Sequence, residues 1–342
     1  MSAVGAATPL LQLENFQVGF ARGQAVRGID LTVNRGEALG VVGESGSGKS
    51  VTWLAALGLL GEGAHISGRA EFEGRDLLGM GQKQLAKLRG GKVALIFQDP
   101  MSALNPVKKV GRQVEEVLNL HRAMRGAAAR AEVVRLFDQV GIPNAARRVN
   151  LYPHELSGGQ NQRVMIAMAL AGQPELLIAD EPTTALDVTI QAQILSLLET
   201  LRRDLGMALV LISHDLSVVG ETCERIAVVY AGRIVETGSV AQIFDAPSHP
   251  YTRGLINAAP RLGASHASLQ PIPGHVPEPW NMPPGCAFAP RCPLTSTECD
   301  LGQPELAEVS PDGHRAACLR WDEIPVTLTT SSGAVEVTNA FA

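Results

Sequence analysis

Runs of consecutive apolar residues recur along the chain and alternate with stretches of helical periodicity. Runs rich in Val, Ile and Leu lie at 10–18, 28–33, 38–43, 93–98, 176–180, 208–213 and 226–230. Several are apolar at every position rather than at every second one, which is typical of strands covered on both faces. Helical patterns lie at 48–60, 107–120, 127–140, 157–171 and 188–205. The alternation predicts an α/β fold with a buried, largely parallel sheet.

The same patterns divide the chain into regions. From about 100 to 170 the sequence is almost wholly helical by pattern, which predicts a helical subdomain inserted into the α/β core. After about residue 260 the chain becomes rich in Pro and Gly and loses its periodicity. We therefore predict a large domain at 8–260, an irregular extension at 261–326, and flexible tails at 1–7 and 327–342.

Composition narrows the class of protein. The chain has 342 residues, with 34 acidic and 29 basic side chains. It contains no block of Lys and Arg residues that would favour nucleic-acid binding. The longest apolar runs fall short of the roughly 18 residues that span a bilayer. The N-terminus lacks the basic residue and apolar block of a signal peptide. A cytosolic location is expected, with attachment to a membrane partner left open.

A phosphate-binding loop follows the third apolar run. Residues 43–50 read GESGSGKS between a strand and a helix, which matches the Walker A pattern and its context. Glycines let backbone N–H groups wrap phosphates, and the helix N-terminus adds partial positive charge. Lys49 is predicted to reach the β- and γ-phosphates and Ser50 to ligate Mg²⁺. The predicted ATP-binding residues of the loop are Gly43, Glu44, Ser45, Gly46, Ser47, Gly48, Lys49 and Ser50.

An acidic strand end complements this loop. Residues 176–181 read LLIADE, an apolar strand that ends in two carboxylates, as a Walker B element does. Asp180 is predicted to hold Mg²⁺, and Glu181 to polarise the attacking water. Strands that end in acidic residues are common on protein surfaces. This one indicates a nucleotide site because the same chain contains a phosphate loop.

The pentapeptide LSGGQ at 156–160 adds a second anion site, because a Ser-Gly-Gly turn that opens a helix exposes backbone N–H groups. With it, the chain resembles the ATP-binding cassette (ABC) ATPases over about residues 8–260. The resemblance implies a RecA-like parallel-sheet core, an antiparallel β subdomain and an inserted helical subdomain. It also implies that this signature motif closes over ATP held by a second cassette. The residues concerned are Ser157, Gly158, Gly159 and Gln160.

Further roles come from the same resemblance. Gln98 resembles the Q-loop glutamine that senses Mg²⁺ and meets the transmembrane subunit, and His214 resembles the switch histidine at the γ-phosphate. Asp187 lies in the matching D-loop at 185–187. Phe20 lies where an aromatic ring stacks on adenine, although a strand aromatic in the core looks the same in sequence. The predicted catalytic residues are Lys49, Glu181 and His214, and the predicted Mg²⁺ ligands are Ser50, Gln98 and Asp180.

A finer resemblance is to the oligopeptide/dipeptide importer ATPases, and it reaches about residue 320. Besides the phosphate loop, it rests on QDPMSALNP at 98–106, HELSGGQNQR at 154–163, EPTTALDVTIQAQI at 181–194, HPYTRGL at 249–255 and GCAFAPRCP at 285–293. Asn161 replaces the Arg that usually follows the signature motif. Nickel importers share much of the pattern. A soluble ABC ATPase with a redox-sensing cysteine module is the rival from another class.

Four of the five cysteines lie in the extension, as Cys286, Cys292, Cys299 and Cys318. Their spacing lacks the paired C-x2-C knuckles of structural zinc, while four thiolates can hold either Zn²⁺ or a [4Fe–4S] cluster. Some members of the importer family use such cysteines as iron–sulfur ligands. We therefore expect a [4Fe–4S] cluster, with zinc and free thiols as the alternatives.

The resemblance implies the remaining partners and the location. An importer ATPase works as one of two cassettes, here expected as a heterodimer, beneath two transmembrane permease subunits. An extracytoplasmic binding protein delivers the substrate, and the ATPase lies peripherally on the cytoplasmic face of the cell membrane. The expected activity is ATP hydrolysis coupled to the import of di- and oligopeptides.

Overall fold

The computed structural model describes residues 9–184, 186–258 and 271–324. The strands are β1 (Pro9–Phe20), β2 (Gly23–Asn34), β3 (Ala38–Val42), β4 (His65–Phe72), β5 (Arg75–Asp76), β6 (Val93–Ile96), β7 (Leu176–Asp180), β8 (Ala208–Ser213), β9 (Arg225–Tyr230), β10 (Arg233–Ser239), β11 (Ala307–Ser310) and β12 (His314–Ala316). The predicted tails at 1–7 and 327–342, and the beginning and end of the predicted extension, lie outside the described residues.

The helices cover the sheets and connect their strands. They are α1 (Lys49–Ala56), α2 (Gln82–Leu88), α3 (Pro100–Ala103), α4 (Val110–Arg122), α5 (Gly126–Gln139), α6 (Ala145–Arg148), α7 (Gly158–Leu170), α8 (Val188–Leu205), α9 (Leu216–Thr222), α10 (Val240–Asp245) and α11 (Pro250–Ala258). Among the described residues, no helix has both the length and the apolar composition needed to cross a bilayer.

Two sheets organise these elements. One is four-stranded and antiparallel, in the order β2-β1-β4-β5, and the other has eight strands in the order β11-β12-β10-β9-β3-β8-β7-β6. Strands β6, β7, β8, β3 and β9 run parallel, so the predicted parallel core is confirmed. Every residue of β3 and β8 is buried, which explains why these runs are apolar at every position.

The parallel strands bury their two faces in different clusters. Val42 and Leu177 pack with the helical layer, whereas Val41 and Ile178 pack with the antiparallel sheet and α1. Between residues 100 and 170 the chain forms α3 to α7, and α5 packs against both α4 and α7. Helix α7 of this segment packs against β6, so the helical layer lies on the parallel sheet.

The extension joins the core sheet instead of remaining irregular throughout. Strand β12 pairs with β10 through Glu236 and Ala316, and β11 pairs with β12. The fully buried Glu236 carboxylate accepts hydrogen bonds from the backbone N–H groups of Ser248 (2.6 Å) and His249 (2.9 Å), and lies 2.8 Å from His314 Nε2. Strands β11 and β12 were not predicted within this irregular extension, because three or four residues are too few to show a period.

Candidate active site

The phosphate loop leaves the end of β3 in a conformation that only glycine adopts freely. Gly46 and Gly48 have φ angles of +79° and +95°. Glycine adopts such positive φ angles readily because it has no Cβ. A Cβ at Gly43 would lie 2.1 Å from the Val229 carbonyl oxygen. The loop is thus packed tightly on its neighbours, and α1 begins at Lys49, within its last two residues.

Lys49 lies inside the curve of this loop. Its side chain is buried, and Nζ donates hydrogen bonds to the carbonyl oxygens of Gly43 (2.7 Å) and Glu44 (2.9 Å). Burial lowers the pKa of the ammonium group, while the carboxylates of Glu181, Asp180 and Glu44 oppose this effect. The ammonium group is therefore held at the loop by backbone oxygens that a phosphate oxygen would replace.

Asp180, the last residue of β7, lies next to the start of α1. Its carboxylate is hydrogen-bonded to the Ser50 side chain. Burial raises the pKa of the Asp180 carboxyl, whereas the Ser50 bond lowers it. The Asp180 carboxylate and the Ser50 hydroxyl thus lie together at the edge of the loop. Mg²⁺ prefers hard oxygen ligands of this kind.

Glu181 gathers three side chains around its carboxylate. Oε2 accepts hydrogen bonds from Gln98 Nε2 and from Thr184 Oγ1, both at 2.9 Å, and Oε1 lies 3.3 Å from His214 Nδ1. The residue has a φ angle of +45°, and its backbone N–H donates to the Ile212 carbonyl oxygen. Strained backbone of this kind persists where its surroundings fix it, often at functional sites.

A cavity of about 630 Å³ lies between the phosphate loop and Glu181, and Asp180 is not among the residues described as lining it. Its volume is within the range of ordinary ligand sites. The residues that line it are Ala25, Glu44, Ser45, Gly46, Ser47, Gly48, Lys49, Ser50, Val51, Gln98, Glu181, Thr184 and His214. The structure therefore brings together the predicted phosphate loop, the Gln98 loop, the predicted base and the predicted switch histidine.

The signature motif lies elsewhere on the surface. Ser157 is exposed and caps α7, where Oγ accepts a hydrogen bond from Gln160 N at 3.4 Å and Gln160 Oε1 accepts one from Ser157 N at 3.3 Å. A Cβ at Gly159 would lie 2.9 Å from Ile190 Cγ2, so α7 starts close against α8. None of the residues described as lining the phosphate cavity belongs to this motif.

Asp187 and Phe20 also lie outside that cavity. Asp187 caps α8, and its Oδ1 accepts a hydrogen bond from Ile190 N at 2.9 Å. Ala185 of the predicted D-loop is outside the described residues. The Phe20 ring, 41% exposed at the end of β1, lines a different cavity with Pro279 and Trp280 of the extension.

The four cysteines of the extension line one small cavity together with Phe288 and His249. The Cys286 backbone N–H donates to the Cys299 carbonyl oxygen at 2.7 Å. Burial raises the pKa of the Cys292 thiol to about 11 and that of Cys318 to about 12. No group of three or more His, Cys, Asp or Glu side chains in the described residues is arranged to hold a metal ion. The fold thus gathers the thiols without placing them at ligand distances.

Three residues at the phosphate loop escaped the sequence predictions. Thr184 holds the Glu181 carboxylate, Tyr251 Oη accepts a hydrogen bond from Glu44 N at 2.8 Å, and Arg291 is ion-paired with Glu44. All three lie in motifs that carried the family resemblance, at 181–194, 249–255 and 285–293. No local pattern connects Tyr251 or Arg291 to a loop that is more than 200 residues earlier in the chain.

The eight-stranded sheet, the phosphate loop at the end of a central parallel strand and the separate Ser-Gly-Gly helix start define an ATP-binding cassette. The family described as ABC transporter matches residues 26–184, and the family described as oligopeptide/dipeptide transporter, C-terminal region, matches residues 235–299. The chain belongs to the ABC transporter family, among the ATPases that carry this oligopeptide/dipeptide transporter region.

Individual relatives agree with this assignment. The oligopeptide transport ATP-binding protein OppD of Salmonella typhimurium is 48% identical over 318 residues, which cover 92% of this chain and 94% of that protein. OppD of Haemophilus influenzae is 48% identical over 297 residues, covering 86% and 92%. A dimeric post-hydrolysis structure of the ATP-binding cassette MJ0796 bound to ADP and Pi has a TM-score of 0.60 at 29% identity, covering 67% of this chain and 98% of that one.

Proposed function

We propose that this chain is the ATP-hydrolysing subunit of an ABC importer for di- and oligopeptides. The observation that carries the proposal is one chain with a phosphate cavity, a base held by three side chains and a C-terminal region of the oligopeptide/dipeptide transporter type. The relatives that cover most of the chain are named for oligopeptide transport. Peptides are therefore favoured over nickel as the imported substrate.

Several residues of the cavity, and Phe20 outside it, have a proposed task in hydrolysis. The backbone N–H groups of 43–48 wrap the phosphates of ATP, and Lys49 leaves its carbonyl acceptors to bind the β- and γ-phosphates. Glu181 orients and polarises the attacking water, and His214, which lies beside that carboxylate, contacts the γ-phosphate. Phe20, whose ring is partly exposed, offers a stacking face for adenine.

A Mg²⁺ ion fits the oxygen donors beside the loop. Ser50 and Asp180 supply a hydroxyl and a carboxylate that already lie within hydrogen-bond contact, and Gln98 reaches the same region through Glu181. The ion would neutralise charge on the β- and γ-phosphate oxygens. The residues proposed to hold it are Ser50, Gln98 and Asp180.

The signature motif serves a second cassette in this proposal. Ser157 and Gly158 are exposed and Gly159 is half-buried, all outside the chain's own phosphate cavity, so a partner's ATP can approach this turn. Gln160 and Asp187 cap the helices that present this surface. The partner is proposed to be a second, homologous ATPase, with a heterodimer favoured.

Two permease subunits and an extracytoplasmic binding protein complete the proposed transporter. The ATPase would lie peripherally on the cytoplasmic face of the inner membrane and meet the permeases through the Gln98 loop. In proteoliposomes that contain this chain, its permeases and its partner ATPase, we expect peptide-loaded binding protein to raise ATP turnover. The same protein loaded with nickel, or left empty, is the control. Full activity of the chain without any membrane association would contradict the importer proposal.

We also propose that Cys286, Cys292, Cys299 and Cys318 ligate a [4Fe–4S] cluster. Support comes from the single cavity that all four thiols line and from their soft donor chemistry. Because the thiols are not at ligand distances, binding requires them to lose their protons and draw together.

An anaerobic preparation tests the cluster. We expect absorbance near 400 nm and about four irons per chain, both lost in Cys292→Ser and both retained in Cys223→Ala, which changes the buried cysteine outside the cavity. A colourless protein with bound zinc, or one with neither metal, would contradict the iron–sulfur assignment.

A further inference from the structure

An arginine of the cysteine-rich extension reaches the second residue of the phosphate loop. Arg291 Nη1 lies 2.6 Å from Glu44 Oε2, and Nη2 lies 2.9 Å from Glu44 Oε1. The Arg291 side chain is only 5% exposed. This is a two-pronged, charge-assisted contact, which is stronger and more directional than an exposed ion pair.

The rest of the guanidinium group is fixed in the extension and the core. Nε donates to the Pro273 carbonyl oxygen at 2.7 Å, and Nη2 also donates to the Ile272 carbonyl oxygen at 3.3 Å. The group lies 5.7 Å from the Tyr230 ring centre and 5.8 Å from that of Phe288. These contacts therefore fix the position of the Arg291 guanidinium group, which in turn holds the Glu44 carboxylate.

Glu44 is in turn fixed to the nucleotide site through its backbone. Its N–H donates to Tyr251 Oη at 2.8 Å, and its carbonyl oxygen accepts from Lys49 Nζ at 2.9 Å. The side chain and the backbone of Glu44 thus connect Arg291 and Tyr251 to the lysine that binds phosphate. A shift of Glu44 would change both the curve of the loop and the position of Lys49.

We propose that Arg291 is a positioning residue for ATP binding, through which the C-terminal extension sets the affinity of the phosphate loop. The inference rests on the proposed ATP site. Removing the guanidinium leaves the Glu44 carboxylate without its partner beside the loop, and such a charge turns towards water or repels the phosphates. Either movement weakens ATP binding without touching Glu181 or His214.

The test compares four full-length variants with the wild-type protein: Arg291→Gln, Arg291→Lys, Glu44→Gln and the double variant Arg291→Gln with Glu44→Gln. We expect Arg291→Gln to raise the Kd and the KM for ATP about tenfold or more, with kcat nearly unchanged. Arg291→Lys should restore part of the loss, because it keeps the charge but not the paired bonds. Arg315→Gln is the control, because this residue of the same extension has one described side-chain hydrogen bond, to the Leu306 carbonyl oxygen.

The double variant distinguishes a positioning role of Arg291 from a general loss of folding stability. If Arg291 acts through Glu44, the double variant binds ATP no more weakly than Arg291→Gln alone, since the two changes break one interaction. A lower melting temperature with an unchanged Kd, a fall in kcat alone, or additive losses would overturn the inference. A wild-type protein that binds no ATP would overturn the proposed function instead.

Discussion

Glu181→Gln is expected to lower ATP turnover about 10²- to 10⁴-fold, the usual contribution of a positioned base, while ATP still binds. The amide has the shape of the carboxylate and can still meet Gln98, Thr184 and His214, which contact it at 2.9 to 3.3 Å. It cannot polarise water as a carboxylate does. The paired cassettes should therefore accumulate in the ATP-bound state.

Single-turnover hydrolysis and ATP binding, measured on the same preparation, check this result. Glu175→Gln is the matched control, because it removes a carboxylate just before β7, at the end opposite to Glu181. Its ion pairs with Arg35 and Lys92 are on the surface and contribute little to stability. Turnover by Glu181→Gln within tenfold of the wild-type rate would show that another group activates the water.

Ser157→Arg is expected to abolish hydrolysis by the paired protein while the chain's own phosphate loop binds ATP normally. Ser157 is exposed at the start of α7, and it does not line the phosphate cavity of its own chain. An arginine there adds bulk and charge where a partner's γ-phosphate would approach. Equilibrium binding of ATP should therefore be unchanged, while steady-state turnover is lost.

Ser239→Arg is the matched control for this substitution. Ser239 caps α10 with the same reciprocal bonds to a glutamine, so the variant loses an equivalent cap, worth about 1 kcal/mol. Normal hydrolysis by the pair that contains Ser157→Arg would mean that the motif does not act across subunits.

The sequence predicted the centre of the fold better than its edges. Buried parallel strands such as β3 and β8 are apolar at every position and are bounded by clear turns, so their limits were predicted within one residue. Strand β4 was missed because half of its residues are exposed, and β11 and β12 because they are very short. Their place in the sheets depends on partners far along the chain.

The same distinction holds for the candidate site. Motifs contained within a few residues, such as 43–50 and 176–181, could be recognised locally, and the fold brings them to one cavity. The roles of their residues stay predictions. The ion pair between Glu44 and Arg291 could not be foreseen, because it depends on how the extension returns to the phosphate loop.

The long sequence separation between Glu44 and Arg291 matters during synthesis of the chain. Glu44 and Arg291 are 247 residues apart, so at about 5 to 20 residues per second the ribosome needs roughly 12 to 50 s to supply the second partner after the first. A chain interrupted before Arg291 already contains the phosphate loop, the carboxylate pair and the signature motif. It lacks the contact between Arg291 and Glu44, so on the inference above incomplete products would bind ATP more weakly than finished subunits.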